Sequence, residues 1–238
     1  MEYATKEEVM LAKYKDKKIL ILGGGQSTLD TKWENLPYDY VWTCNDFYLE
    51  PRVLNQEIDL YVLAYTTPLK EEKLVSKLTN SNTTVIYETS HYRGKERTPG
   101  FKAFKEAINI PIHETELQFF KDNQRPAYKS GAAFRLIQLA LSTEAKTIYF
   151  AGFDGFNKDF SNIHAFTKHK GLKDTDTRRD YEGHPMSYLS IFTDAFNVLK
   201  GVRGHETLQN LGEGFDYNIG TPISREFFPL TEETKNLI

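Results

Sequence analysis

A glycine-rich segment near the start of the chain has residues that could bind an anion. Gly23, Gly24 and Gly25 directly follow a short apolar run and precede Ser27. Consecutive glycines allow a sharp turn that presents backbone N–H groups to a phosphate, although a tight strand-to-helix turn without a ligand is the alternative interpretation. The segment is neither a dinucleotide fingerprint nor a P-loop, because Thr28 replaces the third glycine and no Gly-Lys-Ser/Thr follows.

Polar residues also follow two other apolar runs. Asn45 and Asp46 come after one of them, and Asp154 stands between Gly152 and Gly155 after another. An asparagine can donate and accept at once, as a sugar hydroxyl or phosphate oxygen requires, although it can equally cap its own turn. Asp154 either accepts a hydrogen bond from a ribose or base, or forms a structural turn.

His184 is the candidate for proton transfer. It directly precedes Pro185, which can begin a helix. The positive end of a helix lowers a histidine pKa and keeps a neutral imidazole available as a general base, while a purely structural histidine is the alternative. Tyr181, one turn earlier, could orient a sugar or phosphate. Residues 161–180 are charged and lack periodicity over a length typical of lids.

The remaining candidates for chemistry are an acidic pair that could bind a metal ion and a single cysteine, and the sequence favours neither role. Asp174 and Asp176 have the D-x-D spacing that many sugar transferases use for a divalent ion, but they stand in the charged segment and are interpreted as solvated surface. We therefore expect no metal. Cys44 lies inside a predicted strand, where we expect an inert core thiol.

The elements that position these residues follow from periodicity. Helical patterns cover residues 68–78, 131–141 (with Ser130 as a cap) and 185–200. Near-continuous apolar runs predict five strands, as in a sheet covered on both faces, at residues 18–22, 40–44, 59–65, 84–87 and 146–151. The β-α-β-α pattern predicts one α/β domain over residues 1–238, Rossmann-like and doubly wound, with a mostly parallel sheet and a lid-like insertion at 161–180. Ligands bind at the carboxyl ends of such strands, so the important loops begin at Gly23, Asn45, Thr66 and Gly152.

Composition excludes several classes of function. The chain has 238 residues, of which 39% are hydrophobic and 26% charged, as in globular proteins. Its net charge of -3 argues against nucleic acid as a primary partner. One cysteine allows no intrachain disulfide, and no apolar run has the length of a signal peptide or a membrane span. We therefore expect a cytoplasmic protein. Peripheral association with the inner membrane face and a homo-oligomer are both compatible with the sequence.

Five motifs together resemble the bacterial sialyltransferases of glycosyltransferase family 42. The family's G-N-G-P-S resembles residues 23–27, and its C-N-Q-F-Y resembles residues 44–48. Its S-G at a helix start is similar to residues 130–131, its S-G-I-D to residues 151–154, and its H-Y-x-G-H to residues 180–184. The order and rough spacing agree from about residue 17 to residue 200.

This resemblance implies a Rossmann-like variant fold and metal-independent, inverting transfer from a CMP-activated sugar to a hydroxyl of a glycan or glycolipid. His184 matches the family's catalytic base, with Tyr181 beside it. Asn45, Ser130 and Gly152 match donor-binding positions. A base that deprotonates the acceptor hydroxyl and donors that stabilise the leaving phosphate make this chemistry coherent.

Several positions differ from the family pattern. Gly24 replaces the family's loop asparagine and Thr66 its third-strand asparagine, while Phe156 and His164 replace two tyrosines that steady the leaving phosphate. The donor is thus open between sialic acid, a related nine-carbon or Kdo-like sugar, and another nucleotide sugar. The expected nucleotide-binding positions are Gly23, Gly24, Gly25, Ser27, Asn45, Asp46, Thr66, Lys129, Ser130, Gly131, Gly152, Asp154, Phe156 and His164.

The same loops resemble a wider group that contains MptE-like 6-hydroxymethylpterin diphosphokinases and flagellin motility accessory factors. That resemblance implies a different activity, pyrophosphoryl transfer from ATP, which needs a divalent ion to neutralise the triphosphate. A catalytically inactive sugar-nucleotide binder is the third interpretation.

Overall fold

The protein is built on one parallel β-sheet. The structure, a computed structural model, describes residues 11–63, 71–88, 112–115, 131–153, 199–201, 203–212 and 228–238. Within these ranges, seven strands lie in the order β5-β4-β3-β2-β1-β6-β7, and each neighbouring pair is parallel. The strands are β1 (Lys18–Leu22), β2 (Tyr40–Cys44), β3 (Leu60–Leu63), β4 (Thr84–Glu88), β5 (Ile112–Thr115), β6 (Thr147–Ala151) and β7 (Leu208–Asn210). The architecture is therefore α/β, Rossmann-like and doubly wound.

The five predicted strands are confirmed, and β1 and β2 begin and end at the predicted residues. β4 is one residue longer than predicted, β6 one residue shorter, and β3 begins one residue later. The sequence analysis missed β5 and β7, which are only four and three residues long. Both lie at the outer edges of the sheet.

Five α-helices of four or more described residues accompany the strands: α1 (Ser27–Asp30), α2 (Pro51–Leu54), α3 (Glu72–Thr79), α4 (Gly131–Ser142) and α5 (Glu232–Lys235). α4 is one residue longer than predicted. α3 begins four residues later than the predicted helix at 68–78, although residues 64–70 lie outside the described part. Of the predicted helix at 185–200, only Leu199 and Lys200 are described, and both are helical. α1, α2 and α5 were not predicted.

Both faces of the sheet are covered by apolar side chains. In β1, Ile19 and Ile21 belong to one core cluster, while Leu20 and Leu22 belong to the other. The first cluster includes the apolar side of α4, and the second includes residues of α2 and α3 together with Trp33, Phe47 and Tyr48. Burial on both faces explains why the strands are continuously apolar in sequence rather than alternating.

Candidate functional site

The order of the strands identifies one edge of the sheet as the candidate site for a ligand. β1 lies between β2 and β6; β2 to β5 continue outward on one side, and β6 and β7 lie on the other. The chain thus reverses its direction across the sheet between β1 and β6. In open parallel sheets, ligands bind outside the carboxyl ends of the strands at such a switch point. The loops after β1, β6 and the neighbouring β2 therefore form the candidate site.

The loops after β1 and β6 are joined by backbone hydrogen bonds. The Gly23 N–H donates to the Ala151 carbonyl at 2.8 Å, and the Gly25 N–H donates to the Gly152 carbonyl at 2.9 Å. These two N–H groups are therefore engaged within the protein and do not form part of an open anion nest. Gly24 is buried, and its N–H takes part in no hydrogen bond within the described residues. That the three glycines contact a nucleotide stays a prediction.

The two loops approach so closely that neither has room for a side chain at the contact. Gly152 has a φ of 82°, and a Cβ there would lie 2.3 Å from the Gly23 carbonyl oxygen and 2.5 Å from Thr28 Oγ1. A Cβ on Gly23 would lie 2.8 Å from the Gly152 carbonyl oxygen. Glycine is required at both positions by this backbone contact, independently of any ligand.

The contact of Gly23–Gly25 with Ala151 and Gly152 forms a glycine junction between β1 and β6. Two hydroxyl groups of α1 support this junction. Ser27 Oγ accepts a hydrogen bond from the Gly152 N–H at 2.7 Å. Thr28 Oγ1 donates to the Gly23 carbonyl at 2.8 Å, and Thr28 is fully buried. Ser27, a predicted nucleotide-binding residue, therefore has a structural role in joining β1 to β6. A contact between Ser27 and a nucleotide stays a prediction.

The loop after β2 is held by a different set of contacts. Asn45 has a φ of 48°, in the left-handed region that asparagine tolerates better than most residues. Its N–H donates to the Val62 carbonyl at 3.1 Å, and the Tyr61 hydroxyl donates to its carbonyl at 2.9 Å. These bonds to β3 fix the backbone of Asn45 at the carboxyl edge of the sheet, one strand away from the glycine junction.

Asp46 adds a buried carboxylate to this loop. Asp46 is 3% exposed, and the Tyr48 hydroxyl donates to Asp46 Oδ1 at 3.3 Å. Burial and the nearby Asp46 charge raise the pKa of the Tyr48 phenol, so Tyr48 stays protonated at neutral pH. A carboxylate at this place favours a hydroxyl-bearing ligand group over a phosphate, because it accepts hydrogen bonds and repels anions.

The Cys44 thiol is not a nucleophile at neutral pH. Cys44 ends β2 and is 4% exposed. Burial, with a smaller contribution from Asp46, raises its pKa to about 12. Because only the thiolate reacts, the predicted inert thiol is confirmed.

The described part of the chain holds no group of three or more His, Cys, Asp or Glu residues that could bind a metal ion. None of the helices in the described ranges combines the length and the apolar character that crossing a bilayer requires.

The remaining predicted site residues lie outside the described residues. They are Thr66, Lys129, Ser130, Asp154, Phe156, His164 and both predicted catalytic residues, Tyr181 and His184. The predicted lid at 161–180, with the Asp174 and Asp176 pair that was interpreted as solvated surface, also lies outside the described residues. Gly131, in contrast, is described as the first residue of α4. The structure thus brings together Gly23, Gly24, Gly25, Ser27 and Gly152, with Asn45 and Asp46 in the loop after the neighbouring strand β2.

Two residues that contact this region were missed by the sequence analysis. Thr28 was noted only because it is not the third glycine of a fingerprint, yet its hydroxyl holds Gly23. Arg52 lies far from the glycine segment in sequence, but its guanidinium donates to the carbonyl groups of Leu29 and Thr31. Neither residue has a local sequence signal, because its partner is recognised only after the chain has folded.

The chain matches no family model, no curated protein and no solved structure. The resemblance to glycosyltransferase family 42 therefore depends on the five short motifs and their order alone.

Proposed function

We propose that the protein binds a nucleotide-activated sugar at the carboxyl ends of β1, β2 and β6 and transfers the sugar to an acceptor hydroxyl. The proposed donor is CMP-linked and carries a sialic acid-like or related sugar, and the acceptor is a glycan or glycolipid. The transfer is metal-independent and inverting, with His184 as the general base and Tyr181 beside it. The nucleotide specificity and the transfer follow from the motif resemblance.

One observation carries the binding part of this proposal. The switch point of the sheet lies between β1 and β6, and the loops after these two strands begin with Gly23 and Gly152, whose backbones are in direct contact. The position that a side chain on Gly23 or Gly152 would take is filled by the other loop, so the surface that a flat or anionic ligand can approach here is the backbone around Gly24. A rigid surface of this kind also limits the conformational entropy that is lost on binding.

The loop after β2 supports a role in binding the sugar or ribose part of the donor. Asn45 is held in a left-handed conformation, and the Asp46 carboxylate is buried next to it. An amide and a carboxylate together both donate to and accept from hydroxyl groups, which are the main polar groups of a ribose or sugar. We therefore assign hydroxyl recognition to this loop, and phosphate recognition to the region around Gly24.

A nucleotide panel tests the binding proposal. Calorimetry or thermal shift is measured with CMP, CDP, UDP, GDP and ATP, each with and without magnesium. We expect CMP to bind most tightly and magnesium to have no effect. Tight binding of ATP that requires magnesium would instead support the diphosphokinase activity. If none of the five nucleotides stabilises the protein, the proposal is wrong.

The transfer itself is tested through His184. In His184→Ala, donor affinity should stay near the wild-type value while turnover falls by about 100-fold or more, because a positioned general base typically contributes 10²–10⁴ in rate. His205→Ala is the matched control, since His205 precedes the amino end of β7 and so lies at the opposite edge of the parallel sheet. Normal turnover in His184→Ala would remove His184 from the mechanism.

A further inference from the structure

We infer that Arg52 is a positioning residue that holds the loops after β1 and β2 in one fixed arrangement, so that ligand binding depends on it without direct contact. Arg52 is the second residue of α2, which follows the β2 loop. Its side chain reaches back to α1, the short helix that follows the glycine segment. Where it concerns ligand affinity, this inference depends on the function proposed above.

The three nitrogens of the Arg52 guanidinium make five hydrogen-bond contacts in the described structure. Nη1 donates to the Leu29 carbonyl at 2.6 Å and, more weakly, to the Thr28 carbonyl at 3.5 Å, while Nη2 donates to the Thr31 carbonyl at 2.8 Å. Nε and Nη2 each donate to a carboxylate oxygen of Glu34 at 2.6 Å. Five donors in a planar fork match this set of acceptors, and a lysine ammonium cannot reproduce it.

The ion pair with Glu34 is a charge-assisted contact at neutral pH. Burial raises the pKa of Glu34, but the hydrogen bond from Arg52 has the opposite effect and the net pKa is lowered. Both partners are about one-third exposed, so the bidentate geometry matters more than the charge attraction alone. The guanidinium carbon also lies 5.0 Å from the centroid of the Trp33 ring, which limits its movement.

The carbonyl contacts link this cluster to the glycine junction. Thr28, Leu29 and Thr31 lie at the end of α1, where carbonyl groups have no partners within the helix. The Trp33 indole N–H also donates to the Thr28 carbonyl, at 2.8 Å. The side chain of the same Thr28 holds the Gly23 carbonyl. A continuous series of short contacts therefore connects Arg52 to the junction between β1 and β6.

Arg52 is equally well tied to the β2 loop. Its backbone N–H donates to the side chain of Glu50, the residue that caps α2, at 3.1 Å. Only a short helical turn (Phe47–Leu49) separates that cap from Asn45 and Asp46. Displacement of the guanidinium would therefore loosen α1 relative to the β2 loop, and ligand groups that contact both loops would lose part of their common geometry.

The experiment compares Arg52→Lys and Arg52→Gln with Lys77→Met. Lys77 is a suitable control because its Nζ also donates to a backbone carbonyl, that of Gln56, on the same face of the sheet. We measure CMP affinity below the onset of unfolding, and amide hydrogen exchange at residues 24–28 and in β1. Both Arg52 variants should weaken CMP binding about tenfold and speed exchange at residues 24–28 about tenfold, without a change in β1. Lys77→Met should change neither quantity.

Glu34→Gln provides a graded variant, because it removes the ion pair but leaves the carbonyl contacts of Arg52; its effect should lie between those of wild type and Arg52→Gln. The inference is overturned if Arg52→Gln lowers the melting temperature while CMP affinity and exchange at residues 24–28 stay at wild-type values. If the wild-type protein binds no nucleotide, the proposed function fails, and the exchange measurement alone decides the role of Arg52.

Discussion

The two parts of the candidate site are built in opposite ways. At the β1–β6 junction, glycine backbones touch and hydroxyl groups of α1 support them, so little space is left. At the end of β2, the backbone is held by a tyrosine side chain, and a carboxylate and a phenol are buried beside it. The first region therefore tolerates no added atom, whereas the second depends on individual polar groups. Substitutions in the first region should therefore lower the free energy of unfolding more than substitutions in the second region do.

The largest effect is expected for Gly152→Ala. The added Cβ would lie 2.3 Å from the Gly23 carbonyl oxygen, and the φ of 82° is itself unfavourable for alanine. We expect the free energy of unfolding to fall by about 3–5 kcal/mol, as in severe backbone clashes. Urea denaturation measures this value.

Gly204→Ala separates the clash from the backbone strain. Gly204 has a similar φ of 87°, but the nearest atom to its Cβ would be Leu141 Cδ2 at an ordinary 3.8 Å. Only the left-handed strain remains, so we expect a loss of about 1–2 kcal/mol. Equal losses in Gly152→Ala and Gly204→Ala would show that the close contact between β1 and β6 is not important.

A smaller effect is expected when one support of the junction is removed. In Ser27→Ala, the Gly152 N–H loses the acceptor that lies 2.7 Å away. An N–H that is left without an acceptor in a partly buried place costs about 1–3 kcal/mol. The measurement is again the free energy of unfolding, and Ser27→Thr, which keeps a hydroxyl, is the comparison. A loss below the experimental error in Ser27→Ala would contradict the supporting role.

The corresponding change at the end of β2 should cost less. Tyr61→Phe removes the hydroxyl that donates to the Asn45 carbonyl but keeps the ring, which packs at 5.1 Å from that of Phe47. We expect a loss of about 0.5–1.5 kcal/mol, the typical net value of one hydrogen bond. If Tyr61→Phe destabilises the protein more than Ser27→Ala does, the proposed difference between the two regions is reversed.

The last prediction concerns the dependence of stability on pH, which Cys44 affects only in alkaline solution. The Cys44 thiol has a pKa of about 12 in the folded protein, against 9.0 as its ordinary value. Between these values the unfolded chain loses the proton while the folded one retains it, so stability falls as the pH rises, by about 1.4 kcal/mol per pH unit. Below pH 8 the contribution is fully present and constant.

Cys44→Ala tests this pH dependence. From pH 9 to pH 10.5, the free energy of unfolding of Cys44→Ala should fall less steeply than that of the wild type, and the two slopes should be equal below pH 8. Equal slopes across the whole range would mean that Cys44 is not protected as its burial requires. Gly23, Gly24, Gly25, Ser27, Thr28 and Gly152 have no side chain that titrates in this range, so the comparison with Cys44→Ala reports on the β2 region.

Much of the fold could be predicted because local patterns specify it. β1 and β2 were predicted with their bounds, since each is a continuous apolar run with polar or glycine residues at its end. The helix α4 has apolar residues at helical spacing. β5 and β7 were missed because three or four residues such as Leu208–Asn210 carry too little pattern of their own. They become strands by pairing with neighbours at the edges of the sheet.

In the candidate site, too, some features follow from the local sequence and others only from tertiary contacts. The sequence by itself determined that Gly23, Asn45 and Gly152 follow strands and that Cys44 is buried, because burial and strand ends depend on nearby residues. Only the tertiary structure decided that β6 lies beside β1, that the Gly23 N–H donates to the Ala151 carbonyl in that pairing, and that Arg52 reaches the end of α1. These contacts join residues distant along the chain, and their geometry exists only once the parallel sheet has brought the loops to one edge.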